Sequence, residues 1–345
     1  MQKNRSKPNK LSKRKFSKLL IVFTIIIQLL LASFLSLMLV VHGPFNTIRK
    51  AVIGSAMSTF THQYIAKLIF SQKQIDEVIN VGKNVKVNDQ DITQIKPTNY
   101  DDTNITEEYI TAKDGSYDGY LLEISDPLRV KLAMTAFLDK TGQNTSDMAK
   151  AHDAVAAING GGFADLSWAG TGAEPSDFVI MDGKVAFKDK NLNENQQYNV
   201  IALNAQGTLV VGNYSLNGLL KLDVKVMSAV TLDSYVPLVV NKVPTYKNPE
   251  QCAFKGFQPR TVIGQKSNGT IMMLVLDGRR VRNGVLMKGA SLYDAAQIMI
   301  DHGAANVANL DGGNSTTMYY NGEVINNPSG ELGERPTSTA FYVAN

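Results

Sequence analysis

One cysteine in 345 residues rules out a disulfide within the chain, and Cys252 stands far from the apolar N-terminal run, which excludes a lipid-attachment site there. An exported fold without disulfides depends on its own hydrophobic core. The four histidines, His42, His62, His152 and His302, are scattered. Zinc needs three or four ligands at workable spacing, so no zinc site is expected. Calcium and magnesium prefer oxygen ligands, which aspartates can supply, but neither is predicted, and no other cofactor is expected. Also missing are a Gly-Lys-Ser/Thr phosphate loop, a Gly-x-Ser-x-Gly elbow and a His-Glu-x-x-His pair, which sets aside the chemistries those motifs serve. The apolar run ending at Asp277 has no second aspartate two residues on, which argues against a phosphoaspartate phosphatase.

Basic charge is scarce where a nucleic-acid binder would need it. The chain carries +4 overall (35 basic, 31 acidic), but residues 1–18 hold eight Lys/Arg and no acid, leaving 35 − 8 = 27 basic against 31 acidic, or −4, for the remainder. Phosphate contacts require positive charge on the folded part, so no nucleic-acid partner is expected.

Charge is absent altogether from Leu19 to Val41, a 23-residue run interrupted only by Thr24, Gln28, Ser33 and Ser36. About 20 apolar residues suffice to cross a bilayer. With the basic cluster on its N-terminal side, the run is expected to be a single-pass anchor with residues 1–18 cytoplasmic and everything after His42 extracytoplasmic. A cleaved signal peptide has the same basic-then-apolar order, but its apolar core is usually ~7–15 residues and is followed by a small-x-small site. Residues 42–106 are expected to form a stalk and linker. Ser58 to Val81 has apolar residues at helical spacing, and Asn84 to Asn104 is polar with Pro97. A stalk is the simpler reading of the helical part; an amphipathic helix lying on the membrane, or pairing with a partner, is the alternative.

A globular domain over 107–345 follows. Short β-rich runs (Tyr120 to Ile124, Arg129 to Phe137, Phe178 to Met181, Val200 to Leu203, Leu209 to Val211) are punctuated by Asp114-Gly115, Asp182-Gly183 and Asn217-Gly218. Helices are expected over Met148 to Ala156 and over Ser291 to His302, the second with Ser291 as N-cap, Asp294 three residues on and Gly303 as its stop. The expected fold class is mixed α/β (α+β): one domain with a mixed sheet and flanking helices, preceded by the transmembrane helix and stalk.

Four segments carry chemistry. Ala157 to Asp165 brings an amide and three glycines together, and glycines let backbone N–H groups approach a ligand. Gln258 to Gly264 places the planar fork of Arg260, suited to phosphate, before a strand. Ile271 to Leu276 ends in Asp277-Gly278-Arg279, and Val307 to Leu310 ends in Asp311-Gly312-Gly313-Asn314-Ser315-Thr316-Thr317. The capped helix lies between these two. A strand, helix, strand order usually yields two parallel strands in one sheet, often neighbours, so Asp277 and Asp311 should emerge at the same edge and open into one crevice beside Arg260 and Arg279. Each loop alone is ordinary turn chemistry.

Ala-Ile-Asn-Gly-Gly-Gly-Phe, Pro-Arg-Thr-Val-Ile-Gly, Leu-Asp-Gly-Arg, Asn-Leu-Asp-Gly-Gly-Asn-Ser-Thr-Thr-Met and Glu-Arg-Pro-Thr-Ser-Thr-Ala, in order from about Ile158 to Ala340, resemble the phosphodiester glycosidase family. Its best-known member uncovers mannose 6-phosphate by removing N-acetylglucosamine, and bacterial relatives are often described as exopolysaccharide biosynthesis proteins. The chain departs from the family pattern at Gly162, where Phe is usual, and at Asn314, where a third Gly is usual. The resemblance implies a hydrolase acting on a sugar-1-phosphate phosphodiester in the cell envelope. It also implies a site lined by Asn159, Gly160, Arg260, Arg279, Gly312, Gly313, Ser315 and Thr316, with Asp277 and Asp311 as catalytic carboxylates. A phosphodiester is a good leaving group, so arginines can stabilise its charge while a carboxylate supports the anomeric centre or activates water. Two other functions are alternatives: a glycan- or teichoic-acid-binding module that keeps the fold and stacks sugars on Trp168 and tyrosines, against which the intact Asp277, Arg279 and Asp311 weigh, and a transferase that uses the same residues and excludes water. No oligomeric state follows from the sequence.

Overall fold

The computed structural model describes residues 10–57, 63–80, 89–164, 171–232, 237–330 and 332–345. Trp168 and parts of the expected stalk and linker lie outside them. The described α-helices are α1 (Lys10–His42), α2 (Asn46–Met57), α3 (Gln63–Ile69), α4 (Gln72–Asn80), α5 (Thr145–Ala151), α6 (Leu216–Leu219) and α7 (Leu292–Asp301).

The central layer is a seven-stranded sheet ordered Ile105–Thr111, Asp118–Ile124, Ile271–Leu276, Arg260–Lys266, Ala304–Asn309, Pro237–Val240, Val243–Pro244. Ile271–Leu276 is buried along its whole length because successive side chains enter two different cores. Met272, Leu274 and Leu276 face one core with α2, α3, α4 and α7, while Ile271, Met273 and Val275 face another. The second core is shared with two five-stranded sheets: one contributes Leu132, Ile158, Met318 and Phe341, the other Ile201, Leu209 and Val230. The chain is thus a mixed α/β single domain with several sheets and an N-terminal apolar helix. The expected mixed sheet is corrected in one respect: every described strand pairing is antiparallel.

Ile271–Leu276 and Ala304–Asn309 do run parallel within one sheet, but they are not neighbours. Arg260–Lys266 lies between them, antiparallel to both. α7 connects them with Ser291 as the expected N-cap, and the structure adds a capping box in which the Ser291 hydroxyl accepts from Asp294 N–H and the Asp294 carboxylate accepts from Ser291 N–H; Gly303 follows at φ +86°. The other helix departs from expectation. α5 stops at Ala151, the backbone reverses at Asp153 with φ +49°, and Ala156 already belongs to a strand. Asn217-Gly218, read as a turn, lies within α6.

The expected stalk is not separate from the domain. Ile53, Ala56, Ala66, Phe70, Ile75 and Val78 are buried in the same core as Leu274 and Leu276, so α2–α4 are packed into the domain, α2 against Pro249–Lys255. The linker is held by the domain too: Lys96 N–H donates to Ser267 O at 2.9 Å, and the Gln90 side chain bonds the backbone at Leu209 and Val211.

Strand packing at the edge of the site is tight. Gly119 pairs with Leu276, and a Cβ there would sit 1.9 Å from Val275 O. Gly119→Ala is expected to force the two strands apart and cost ~3 kcal/mol or more, read as a lowered melting temperature. An unchanged melting temperature would show that the strands can separate freely.

Candidate active site

The site is built where three strand ends meet. Arg260 opens its strand opposite Leu276, the last residue of one neighbour, while Val262 pairs with Asn309, the last residue of the other. The loops beginning at Asp277 and Asp311 therefore leave the sheet on either side of Gln258-Pro259-Arg260. Leu310 N–H donates to Thr261 O at 2.9 Å and Gly313 N–H to Pro259 O at 2.9 Å, which folds the Asp311 loop back over the start of the middle strand.

Arg279 is an exposed cation at this edge. Its backbone is left-handed at φ +57°, an uncommon conformation for a residue with a Cβ, costing on the order of 1 kcal/mol. One Nη donates to Asn314 Oδ1 at 3.1 Å and the other to Gln258 Oε1 at 3.1 Å. The guanidinium lies across Gly313, where a Cβ would come 3.2 Å from Nη1, and Gly313 itself has φ +65°, so this position suits glycine on two grounds. Surrounding protein lowers the Arg279 pKa by desolvation, and the negative charge of Asp311 opposes that shift. Two of the five N–H donors of the fork are used in these side-chain bonds, so the group can present others to a bound anion.

Asp311 is half-buried, and its backbone is pinned from both sides. Its N–H donates to Gly160 O at 3.1 Å, and its carbonyl accepts from Asn159 Nδ2 at 2.6 Å. Asn159 is fully buried; its Oδ1 also accepts from Thr261 Oγ1 at 2.7 Å and from Thr317 N–H at 3.2 Å. Asn159 is therefore a positioning residue that fastens the Asp311 loop to two strands. Gly160 and Gly312 permit close backbone approach: a Cβ at Gly160 would lie 2.4 Å from Thr339 Oγ1, and one at Gly312 would lie 2.8 Å from Pro259 O. Ser315 and Thr316 are buried, and their hydroxyls have no protein partner among the described residues, the situation that an ordered water or a ligand hydroxyl resolves.

Two expected residues stand elsewhere. Arg260 does not face a crevice: it is 2% exposed, its Nε donates to Ala290 O at 3.0 Å and its Nη2 to Gly256 O at 2.9 Å, and burial lowers its pKa to about 10. Its fork locks the segment carrying Gln258. Asp277 is also closed off, because the segment after Val324 folds over it: Asn326 Nδ2 donates to one carboxylate oxygen and Asn327 N–H to the other, both at 2.8 Å. Behind it, Arg280 lies 3.7 Å from Asp277 and 2.6 Å from Asp118, and Arg282 also pairs with Asp118.

The sequence reading missed Gln258, Asn326, Asn327, Asp118 and Arg280. Gln258 stood in a quoted segment beside the more conspicuous arginine, and Asn326-Asn327-Pro328 reads as a polar turn. Asn314, noted only as a departure, turns out to hold Arg279 and also accepts from Ser329 Oγ at 3.0 Å.

Burial raises the Asp277 pKa to about 6, against the lowering effect of the bonds from Asn326 and Asn327 and of the Arg280 charge. The folded carboxyl thus holds its proton more tightly than the unfolded one. Its contribution to stability is fully present below the ordinary value of 3.8 and is lost as pH rises through about 6, by about 3 kcal/mol at most. Asp277→Asn should flatten the dependence of melting temperature on pH across that window. An equally steep profile in the variant would refute this assignment.

The family model described as phosphodiester glycosidase matches residues 152–344, more than half of the chain and all four motif segments of the site. The chain belongs to the phosphodiester glycosidase family. A SPbeta prophage-derived uncharacterized protein, YomE, of Bacillus subtilis (strain 168) is 38% identical over 71 residues, 21% of this chain and 10% of that protein. The N-acetylglucosamine-1-phosphodiester alpha-N-acetylglucosaminidase of Bos taurus is 31% identical over 70 residues, 20% of this chain and 12% of that enzyme. The matched segments thus span about a tenth of either relative. Among solved structures, the zebrafish N-acetylglucosamine-1-phosphodiester alpha-N-acetylglucosaminidase catalytic domain, auto-inhibited by its pro-peptide, superposes with a TM-score of 0.57 at 21% identity, covering 77% of this chain and 92% of that one. That likeness extends the shared fold beyond the family match, to most of the chain.

Proposed function

We propose that this phosphodiester glycosidase family member is a membrane-anchored, extracytoplasmic hydrolase acting on a sugar-1-phosphate phosphodiester, similar to an N-acetylglucosamine-1-phosphodiester, in surface polysaccharide or teichoic-acid metabolism. The observation that carries it is the Arg279 fork laid across Gly313 between Asn314 and Gln258, with the charge of Asp311 acting on it. Arg279 binds the phosphate oxygens and stabilises the charge that grows on them as the bond from the anomeric carbon to the bridging oxygen breaks. Asp311 supports the electron-poor anomeric centre and takes a proton from the incoming water, whose oxygen becomes the sugar hydroxyl; the phosphate leaves as a monoester anion. Asp277 acts from beneath as a positioning residue, holding the Asn326–Asn327 segment.

Incubating the purified chain with a panel of sugar-1-phosphodiesters and analysing the products tests the reading. Free sugar from at least one member is the expected result. A folded enzyme that releases sugar from none would overturn hydrolysis, and tight binding without turnover would favour a glycan-binding module.

Among the described residues, one helix, Leu20–His42 near the N-terminus, is long and apolar enough to cross a membrane. With the basic residues before it, the cytoplasmic side should hold residues 1–18. Protease added to intact spheroplasts is expected to remove the C-terminal domain and spare the first segment; a fully protected domain would reverse the orientation.

A further inference from the structure

The joint between the apolar helix and the domain has no slack. Only Gly43, Pro44 and Phe45 separate α1 from α2. Val41, in the last turn of α1, is itself buried in the core that contains Ile53, Ala66, Phe70 and Ile75. Arg49 caps that turn, with Nη1 donating to Val41 O at 2.8 Å and to Gly43 O at 3.3 Å, and Gln74 Nε2 donates to Val41 O at 2.9 Å. A cation at a helix C-terminus satisfies terminal carbonyls and complements the helix dipole. A domain packed around the end of a membrane span in this way sits against the bilayer surface.

The helices at that joint expose what a bilayer interface takes. On and just before α2, Phe45, Ile48 and Val52 recur at spacings of three and four residues, so they share one face, and all three are exposed while Ile53 and Ala56 are buried in the domain. On α3, Tyr64 and Leu68 share a face at a spacing of four, and Leu68 is 84% exposed while Ala66 and Phe70 are buried. α2 and α3 are in contact with each other and α2 with α1. Lys67 stands exposed beside Leu68, as cations do on helices lying at anionic headgroups.

We infer that α2 and α3 form an interfacial platform whose exposed apolar residues sit in the headgroup region of the same bilayer that α1 crosses, so that the catalytic domain is held against the membrane in a defined orientation. The inference rests on the anchored reading of α1. It makes the lipid surface the partner of this face, and it places the site on a body that cannot swing away from the membrane on a flexible stalk.

The test uses the full chain reconstituted in vesicles of phosphatidylcholine and phosphatidylglycerol. Single variants Ile48→Cys, Val52→Cys, Leu68→Cys, Leu30→Cys and Val185→Cys are labelled, while folded, with an environment-sensitive fluorophore. Cys252 is buried, and the labelled parent chain supplies the blank. Thermal unfolding verifies each fold. The labels at 48, 52 and 68 are expected to shift to the blue and to lose emission to a nitroxide lipid quencher placed near the headgroups more than to one deep in the acyl chains. The label at 30, on the exposed surface of α1, should show the opposite preference, and the label at 185, on the strand Lys184–Lys188, should respond to neither. Water-like, unquenched labels at 48, 52 and 68 beside a quenched label at 30 would overturn the platform and leave the anchor standing. An unquenched label at 30 would overturn the anchor and the platform together. Blue-shifted labels at 48, 52 and 68 that neither lipid quencher reaches, and that return to a water-like signal on dilution of the protein, would show a second copy covering this face and overturn the lipid assignment.

Discussion

Asp311→Asn is expected to lower turnover of a sugar-1-phosphodiester by ~100-fold or more while the domain stays folded, the scale of a positioned acid-base group. The backbone of Asp311 is fixed independently of its side chain, through Gly160 O and Asn159 Nδ2, so the amide will occupy the place of the carboxylate. What is lost is the negative charge, which an oxocarbenium-like centre and an attacking water both require. Steady-state kinetics with a parallel melting curve separates this from misfolding. Asp277→Asn serves as the contrast: its carboxylate is enclosed by Asn326 and Asn327, so its loss should act through stability and its pH dependence more than through turnover. A folded, fully active Asp311→Asn would remove this residue from the chemistry.

Arg279→Lys should reduce kcat/KM by ~100-fold or more, comparable to removing a charge-stabilising donor from a transition state. The charge is kept, but an ammonium cannot hold Asn314 Oδ1 and Gln258 Oε1 in one plane and still offer parallel N–H donors to two phosphate oxygens. Because the side chain is exposed and the left-handed turn is retained, the melting temperature should change little. Activity within a few-fold of the parent would mean that the fork is not used, and that Asn314 and Gln258 hold it for structural reasons.

The capped helix α7 and the run of strands were legible because their signals are local. Ser291, Asp294 and Gly303 satisfy or terminate helix ends within a few residues, and uninterrupted apolar runs such as Ile271–Leu276 mark strands buried on both faces. From the order of strand, helix and strand came the parallel relation of the two aspartate-bearing strands. The strand between them could not come from that order, because Arg260–Lys266 pairs with both through long-range hydrogen bonds that leave no local trace. The same limit applies to the stalk: α2–α4 have the apolar spacing of any amphipathic helix, and only the folded chain brings them together with distant segments, such as Pro249–Lys255 against α2, in the core that buries Ile53, Phe70 and Ile75.

Composition and residue type by themselves determined the apolar span and its flanking charge, the net acidity of the rest, and a set of arginines, carboxylates and glycine loops suited to an anionic ligand. Burial then sorted those side chains, since it depends on what the rest of the chain places around each one. Arg260 and Arg279 bear the same group near the same sheet edge, yet Arg260 is enclosed by the carbonyls of Gly256 and Ala290 while Arg279 reaches solvent over a glycine. Asp277 and Asp311 both follow strands of one sheet, and the Asn326–Asn327 segment covers the first and leaves the second half-exposed, so desolvation raises the pKa of Asp277 and the charge of Asp311 remains beside Arg279.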